Sequence, residues 1–359
     1  MKFQRFYLVM DYINDRGIRK MRRSSPRLKK CNPYDYLSAS ARVRMLSNKV
    51  ITKNKLLQMI HASNLRQAFQ ILNTVDIGVG VDPEDYEQAL THELEKTYDL
   101  VRELTDGLAL FDIFRYKYDG QNIKLVLKSK TVGSDSLQWM TDLGTVRKEA
   151  VIEGVKNNDI PELPFEISIA AAEAKLKLAS YRDPQKADII IDKAVLGSMC
   201  RVANEYDNAF FKKVVYSRID IENIRSLIRA KHAGKNISFF ENLLCTGGYI
   251  EIEKLVGIFS ANIRNIAAFI RSTRYGYVLA GGLGDLDLGA PLTHFEKICD
   301  NYLLSFVNEA NSFVFGIEPI LGYLLEKENE ITSIRMVMAA KMANNPSNSV
   351  IERLRAYAW

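Results

Sequence analysis

The sequence predicts an all-α protein, and two observations support this prediction. Glycine and proline are sparse, with 20 and 9 residues in a chain of 359. The long stretches between them are dominated by Ala, Leu, Ile, Lys and Glu, most of which favour helices. In addition, one phrase with helical spacing occurs three times. A chain that repeats a unit of this size is usually built from several similar domains around a pseudo-symmetry axis. This organisation favours a scaffold protein over an enzyme.

The repeated phrase occupies Asp119–Lys130, Asp220–Lys231 and Glu330–Lys341. Each copy has an acid, then Ile followed by a base, then two apolar residues, then a closing Lys. Below, the helices that contain it are called the signature helices. Their apolar residues recur at i, i+3 and i+4, which predicts one buried helical face. These residues are Ile123, Val126, Leu127, Ile224, Leu227, Ile228, Ile334, Val337 and Met338.

The polar ends of the phrase suggest roles at helix termini. Asp119 and Asp220 precede their stripes by four residues, which is where an N-cap is expected. The closing residues Lys130, Lys231 and Lys341 are expected to place their ammonium groups near the C-terminus of their own helix. A single copy would indicate only an amphipathic helix, but three copies in register indicate duplication.

A second pair of similar segments supports duplication. Asn64–Gly78 resembles Asn262–Gly276, and each is interpreted as an Asn-capped helix that ends in a left-handed glycine. No period of 20 to 50 residues is visible, which argues against a solenoid.

The remaining elements follow in chain order. A helical region opens near Pro33, Val79 to Glu84 forms a turn, and Pro83 starts a helix through Leu100. The polar stretch Asn157–Pro164 is the best boundary or hinge. Helices are then predicted at 166–180 and 184–212, before the second signature helix. The segment Ala280–Pro291 is predicted to be an irregular loop, and Glu318-Pro319 starts the third signature helix. The predicted domains are a basic extension at 1–32 and helical repeats at 33–156, 157–280 and 281–359, which can interleave.

The net charge of +6 depends on a short leader. Eight bases and no acid lie between Arg16 and Lys30, and the rest of the chain is slightly acidic. Such a leader can bind nucleic acid or anionic lipid, or it can be an extension without a function of its own. No apolar run follows the bases, so a signal peptide is not indicated. No segment reaches the roughly 18 apolar residues of a membrane span.

The sequence contains no recognisable catalytic, metal or cofactor site. The four cysteines are scattered without a C-x-x-C pair, and none of the four histidines has a second histidine or a cysteine at i+3 or i+4. There is no phosphate-binding loop and no nucleophile elbow. The glycine pairs Gly78-Val-Gly80 and Gly282-Leu-Gly284 do not complete a dinucleotide fingerprint and are interpreted as connections. An interaction protein is therefore favoured over an enzyme.

Four segments resemble a known family, the C subunits of the archaeal and bacterial V-type (A/V-type) ATPases, which are related to the eukaryotic d subunit. They are Tyr34-x-Tyr36 with Ala41-Arg-Val-Arg44, Asp220–Lys231, Glu318–Arg335 and Val350–Tyr357. Together they span residues 33 to 359, and the phrase that begins at Glu318-Pro319 is the most specific. The basic leader departs from the pattern.

The resemblance implies a funnel of three similar helical domains around a pseudo-threefold axis. Such a subunit is a non-catalytic rotor part, without a cofactor. It caps the membrane ring of proteolipid subunits, receives the foot of the central stalk and carries torque between ATP turnover and ion transport. The resemblance also implies peripheral attachment to the cytoplasmic face of the membrane, one copy per complex and no nucleic-acid partner.

The base after the signature Ile is the candidate for contact with a partner. These residues are Lys124, Arg225 and Arg335, with ordinary solvated bases as the alternative. Two other functional classes stay open, a helical adaptor unrelated to rotary ATPases and a nucleic-acid-binding or membrane-binding protein that works through the leader. The transported ion and the direction of the motor leave no signal in the sequence.

Overall fold

A computed structural model describes residues 28–132, 136–181 and 183–355. Within these ranges every regular element is helical, and the single β-bridge joins Lys29 to Tyr206. The all-α prediction is therefore confirmed. Most of the basic leader and the last residues of the Val350–Tyr357 phrase lie outside the described ranges.

The described residues form sixteen α-helices. Those up to the second signature helix are α1 (Leu37–Ser47), α2 (Lys53–His61), α3 (Leu65–Asn73), α4 (Tyr86–Leu104), α5 (Tyr116–Val132), α6 (Lys148–Asn157), α7 (Phe165–Tyr181), α8 (Pro184–Glu205) and α9 (Ala209–His232). The others are α10 (Ile237–Leu243), α11 (Ile252–Gly257), α12 (Ile263–Arg271), α13 (Gly276–Asp287), α14 (Leu292–Ser312), α15 (Ile317–Met342) and α16 (Ser347–Arg353). Short 3₁₀ helices occupy Pro33–Tyr36, Pro83–Asp85, Asp112–Phe114 and Ser136–Trp139.

The signature helices are α5, α9 and α15, and their apolar stripes are buried as predicted. Each of them packs against one or two of the long helices α4, α8 and α14. Helix α5 packs against α8, α9 packs against α8 and α14, and α15 packs against α14 and α4. Because α15 also packs against α1, α2 and α3, the C-terminal signature helix is joined to the N-terminal helices.

The local predictions at helix termini have mixed outcomes. Asn64 and Asn262 are N-caps as predicted, and each accepts a hydrogen bond of 2.9 Å from the amide three residues later. Gly78 has a positive φ of 73°, but α3 already ends at Asn73. Gly276 starts α13 instead of ending α12, so the predicted C-terminal glycine is wrong there.

Two other predictions are wrong. The segment Ala280–Pro291 is mostly helical, because α13 continues to Asp287 despite its glycines. Burial of Leu279 and Leu283 outweighs the poor helix propensity of glycine in this helix. The helix predicted over 184–212 ends at Glu205, since Asn208 caps a new helix by accepting a hydrogen bond from the amide of Phe211 at 2.8 Å.

No helix in the described ranges is both long enough and apolar enough to cross a membrane.

Candidate partner interface at the signature helices

The acid of each signature phrase binds backbone amides that lie outside its own helix. Asp119 accepts hydrogen bonds from the amides of Thr145 at 3.0 Å and Val146 at 3.2 Å. Asp220 accepts them from the amides of Tyr249 at 2.7 Å and Ile250 at 3.2 Å. The prediction that Asp119 and Asp220 are N-caps of their own helices is therefore wrong, because both lie inside α5 and α9 and bind the segment before a later helix.

Both carboxylates are fully buried. Burial raises the pKa of Asp119, and the hydrogen bonds from Thr145 and Val146 oppose this rise. Burial likewise raises the pKa of Asp220, against the effect of the Tyr275 hydroxyl and two amides. A buried carboxylate that accepts several hydrogen bonds fixes the geometry of the groups around it, so these acids are structural.

An asparagine one turn later makes a second contact with the same segment. Asn122 donates to the carbonyl of Thr141 at 2.7 Å and accepts from its amide at 3.1 Å. Asn223 makes the same pair of bonds with Cys245, both at 2.8 Å. In each case the bonded residue precedes the first amide held by the acid by four positions. The acid and the asparagine thus hold both ends of one tight turn.

The third signature helix holds a segment near the N-terminus. Glu330 accepts a hydrogen bond from the amide of Ile51 at 2.6 Å. Ile51 lies two residues before helix α2, as Val146 lies before α6 and Ile250 before α11. The same contact therefore occurs three times, and the third copy joins α15, near the C-terminus, to the segment before α2, near the N-terminus.

The closing lysines bind carbonyl groups at the end of a neighbouring helix. Lys231 donates to Phe259 at 2.7 Å, and Lys341 donates to Ile60 and Ala62, both at 2.6 Å. The expectation that they serve the C-terminus of their own helix is wrong for these two. The side chain of Lys130 is outside the described part of the structure.

The three predicted interface bases all form ion pairs with a long neighbouring helix. Lys124 binds Asp192 of α8 at 2.7 Å. Arg335 binds Glu87 of α4 at 2.8 Å. The acids that are paired in this way belong to the helices that precede the next signature helix, so the pairs link successive units.

Arg225 is the most buried of the three, with a side chain that is 10% exposed. It binds Asp300 of α14 and also Glu222 at 2.9 Å. Burial alone would lower the pKa of Arg225, but the Glu222 and Asp300 carboxylates raise it. The contact of these bases with a partner protein stays a prediction.

A second set of equivalent positions cannot be recognised from residue type. Lys117, Arg218 and Glu328 each lie two residues before the acid of their signature phrase. The Lys117 ammonium is 2.7 Å from the Glu328 carboxylate, which also accepts a hydrogen bond from the Tyr98 hydroxyl. The sequence shows their equivalence only through this position, because two of them are bases and the third is an acid.

Lys117 and Arg218 line a cavity of about 360 Å³ between α5, α8 and α9. Burial lowers the pKa of Lys117, and the charges of Arg218 and Arg355 lower it further, against the effect of Glu328. The cavity is the strongest candidate binding site on the signature helices because it combines basic groups with apolar walls.

The described residues contain no group of histidine, cysteine and acidic side chains that could hold a metal ion. All four cysteines are free thiols, and Cys200, Cys245 and Cys299 are buried.

Comparison with known proteins finds relatives over most of the chain. The model of the ATP synthase (C/AC39) subunit family matches residues 39–353. The C subunit of the A-type ATP synthase of Methanocaldococcus jannaschii is 24% identical over 87% of this chain and 84% of its own length. The corresponding protein of Thermococcus gammatolerans is 25% identical over 86% of both chains. The C subunit of the V-type sodium ATPase of Enterococcus hirae is 22% identical over 89% of this chain and 98% of its own. The chain therefore belongs to the ATP synthase (C/AC39) subunit family, whose members are non-catalytic subunits.

Proposed function

We propose that this chain is a rotor subunit of a V-type ATPase, a socket that joins the central stalk to the membrane proteolipid ring. In this role it transmits torque between ATP hydrolysis or synthesis and ion transport. Its partners are the stalk subunits and the proteolipid subunits, and it reaches the cytoplasmic face of the membrane through the ring, in one copy per complex. Membership of the family and the names of its relatives support this proposal.

The cyclic set of ion pairs is the observation that carries it. Lys124 joins α5 to α8, Arg225 joins α9 to α14, and Arg335 joins α15 to α4. The cycle is completed by the packing of α8 on α9 and of α14 on α15, and by the ion pair between Lys117 of α5 and Glu328 of α15. A set of helices linked in a closed cycle has no free edge at which it can shear. Such a body resists twisting, which is what a subunit between a turning stalk and a ring requires.

The same contacts support three units around a pseudo-threefold axis. We propose that the units interleave. The repeats at 33–156, 157–280 and 281–359 are then consecutive in sequence, but each spatial unit contains helices from more than one of them. The third unit then combines α15 with the N-terminal helices α2 and α3, because Glu330 and Lys341 bind residues there.

Co-purification tests the proposed function. The full chain, carrying an affinity tag, is expected to retain purified central-stalk subunits and, separately, a detergent-solubilised proteolipid ring. A chain with Glu330→Ala, in which the contact between α15 and the segment before α2 is weakened, is compared with the intact chain in the same assay. If the intact chain fails to bind the stalk, or fails to bind the ring, the proposal is contradicted.

The predicted interface bases require a separate test, because Arg225 is buried and its loss would disturb folding. Lys124 and Arg335 retain 18% and 37% exposure of their side chains. We propose that these two contact the stalk, and we expect Lys124→Gln with Arg335→Gln to weaken stalk binding. Unchanged affinity in a folded double variant would remove both residues from the interface.

A further inference from the structure

Arg218 of α9 is a basic side chain that has no partner among the described residues and lines the cavity between α5, α8 and α9. In the described ranges it forms no ion pair and no hydrogen bond, whereas the equivalent Lys117 and Glu328 bind each other at 2.7 Å. Its guanidinium lies close enough to Lys117 for the two like charges to repel, which contributes to the lowered pKa of Lys117. The protein therefore holds two cations close together with one carboxylate to balance them.

The cavity next to Arg218 has an excess of positive charge. Its basic lining residues are Lys117, Lys124, Lys193, Arg218 and Arg229. The acidic lining residues are Asp192 and Glu222. Both acids are already paired, Asp192 with Lys124 at 2.7 Å and Glu222 with Arg225 at 2.9 Å.

The other bases of the lining are also engaged within the protein. Arg229 binds Glu296 at 2.6 Å, and Lys193 donates to the carbonyl of Asn242 at 3.1 Å. Arg218 is thus the base, among the described residues of the lining, that keeps its full donor capacity. A guanidinium presents a planar fork that matches a carboxylate with two parallel hydrogen bonds.

The walls of the cavity distinguish a side chain from a free inorganic anion. Val195, Leu196, Met199 and Leu243 line the same cavity as the bases. An aspartate or glutamate side chain would place its methylene groups against these apolar residues and its carboxylate on Arg218. One negative charge also matches the single uncompensated guanidinium better than the doubly charged form of phosphate does.

We propose that this cavity receives an acidic side chain from the central stalk, with Arg218 as the residue that binds its carboxylate. This inference rests on the proposed function, since the stalk is the proposed partner. Lys117, held in place by Glu328, lines the same cavity and contributes a second positive charge. The site would fix the rotational position of the stalk foot, because the equivalent position on α15 is an acid and would repel the same carboxylate.

The test compares stalk binding by the full-length chain and by Arg218→Gln, with purified stalk subunits at low and moderate salt. We expect Arg218→Gln to bind at least about tenfold more weakly and with a smaller salt dependence. Arg218→Lys is expected to recover part of the affinity, since it keeps the charge but loses the planar fork. Lys212→Gln, a charge loss on the same helix outside the cavity, is the matched control and should bind as the unsubstituted chain does.

Each outcome decides one point. If the unsubstituted chain binds the stalk and a folded Arg218→Gln binds equally well, the carboxylate site is wrong and the proposed function stands. If the unsubstituted chain does not bind the stalk, the proposed function fails and the site fails with it. If millimolar inorganic phosphate displaces the stalk while glutarate at the same concentration does not, the site takes phosphate and the carboxylate assignment is overturned.

Discussion

The carboxylate of Glu330 accepts a hydrogen bond from the amide of Ile51, a residue 279 positions earlier in the chain. Both groups are fully buried. The carboxylate also binds the ammonium of Lys327, which is 7% exposed and forms a second ion pair with Glu93 at 2.9 Å. This cluster joins helix α15 to the N-terminal segment. Its bond to Ile51 is the third copy of the contact that Asp119 and Asp220 make with the segments before α6 and α11.

Removal of this carboxylate should weaken the junction. We expect Glu330→Ala to lower the free energy of unfolding by about 2–4 kcal/mol, because it leaves a buried amide unsatisfied and removes one acid from a buried ammonium. Urea unfolding followed by circular dichroism measures the change. Glu253→Ala, at an exposed position of α11, is the control and should lie within about 0.5 kcal/mol of the parent. A similarly small effect at Glu330 would contradict a structural role.

The glycines beside the buried aspartates give a second prediction. A Cβ atom at Gly144 or Gly248 would overlap the carboxylate of Asp119 or Asp220, respectively. We expect Gly144→Ala and Gly248→Ala each to lower the free energy of unfolding by about 2–4 kcal/mol, since the acid must move away from the amides that it binds.

Gly197 is the matched control for these two substitutions. It lies inside helix α8, and an added Cβ would meet no atom within 4 Å. Gly197→Ala is therefore expected to raise stability by about 0.5–1 kcal/mol through helix propensity. In thermal and urea unfolding, the change in the free energy of unfolding should be positive for Gly197→Ala and negative for Gly144→Ala and Gly248→Ala. Equal effects would show that the contact with the aspartates does not restrict these positions.

The sequence predicts the elements whose signals are local. The apolar stripe around Ile224 and the cap at Asn262 depend on neighbours within four residues, and both are present in the structure. The roles of the acids could not be predicted, because Asp220 binds the amide of Tyr249, 29 positions away. A backbone amide carries no side-chain pattern that identifies it as a partner.

Tertiary packing also reversed a local signal. The glycines of α13 predict a loop, yet Gly282 lies against Ile298 and Phe295, where a larger residue would not fit. The cavity at Arg218 could not be predicted for a related reason, since its charge excess arises from side chains of α5, α8 and α9, and α5 is separated from the other two by helices α6 and α7. The resemblance to a family predicted the membership and the helical class.

The three predicted interface bases should differ in their effect on stability. We expect Arg225→Ala to cost about 2–3 kcal/mol, because Glu222 loses its pair with a largely buried guanidinium and Asp300 keeps only the more exposed Arg355. Lys124→Ala should cost less than about 1 kcal/mol, because Asp192 is 59% exposed and solvent screens the pair. Urea unfolding of both variants checks this order, and equal losses would show that burial does not separate the roles of these bases.

A half-buried carboxyl on α15, beside the N-terminal helices, gives a pH dependence. Glu326 lies on α15, and burial together with the charge of Glu330 raises its pKa to about 7, against the effects of Ser47 and Lys327. One of its oxygen atoms is buried without a hydrogen-bond partner. The folded protein therefore keeps a proton on Glu326 between about pH 4.5 and 7, whereas the unfolded chain has released it.

The folded state binds more protons in this window, so the contribution of Glu326 to stability falls as pH rises from about 4.5 to about 7 and then stays level. The loss is on the order of 3 kcal/mol at most, from the size of the shift. We expect Glu326→Gln, which stays neutral, to match the parent at pH 5 and to be more stable by about 1–3 kcal/mol at pH 8. Urea midpoints at about pH 5, 6, 7 and 8 measure this difference, with Glu253→Gln as the exposed control. A parent and a Glu326→Gln variant with parallel pH profiles would show that Glu326 is ionised in the folded protein throughout this range, and that the junction between α15 and the N-terminal helices is not sensitive to pH through this group.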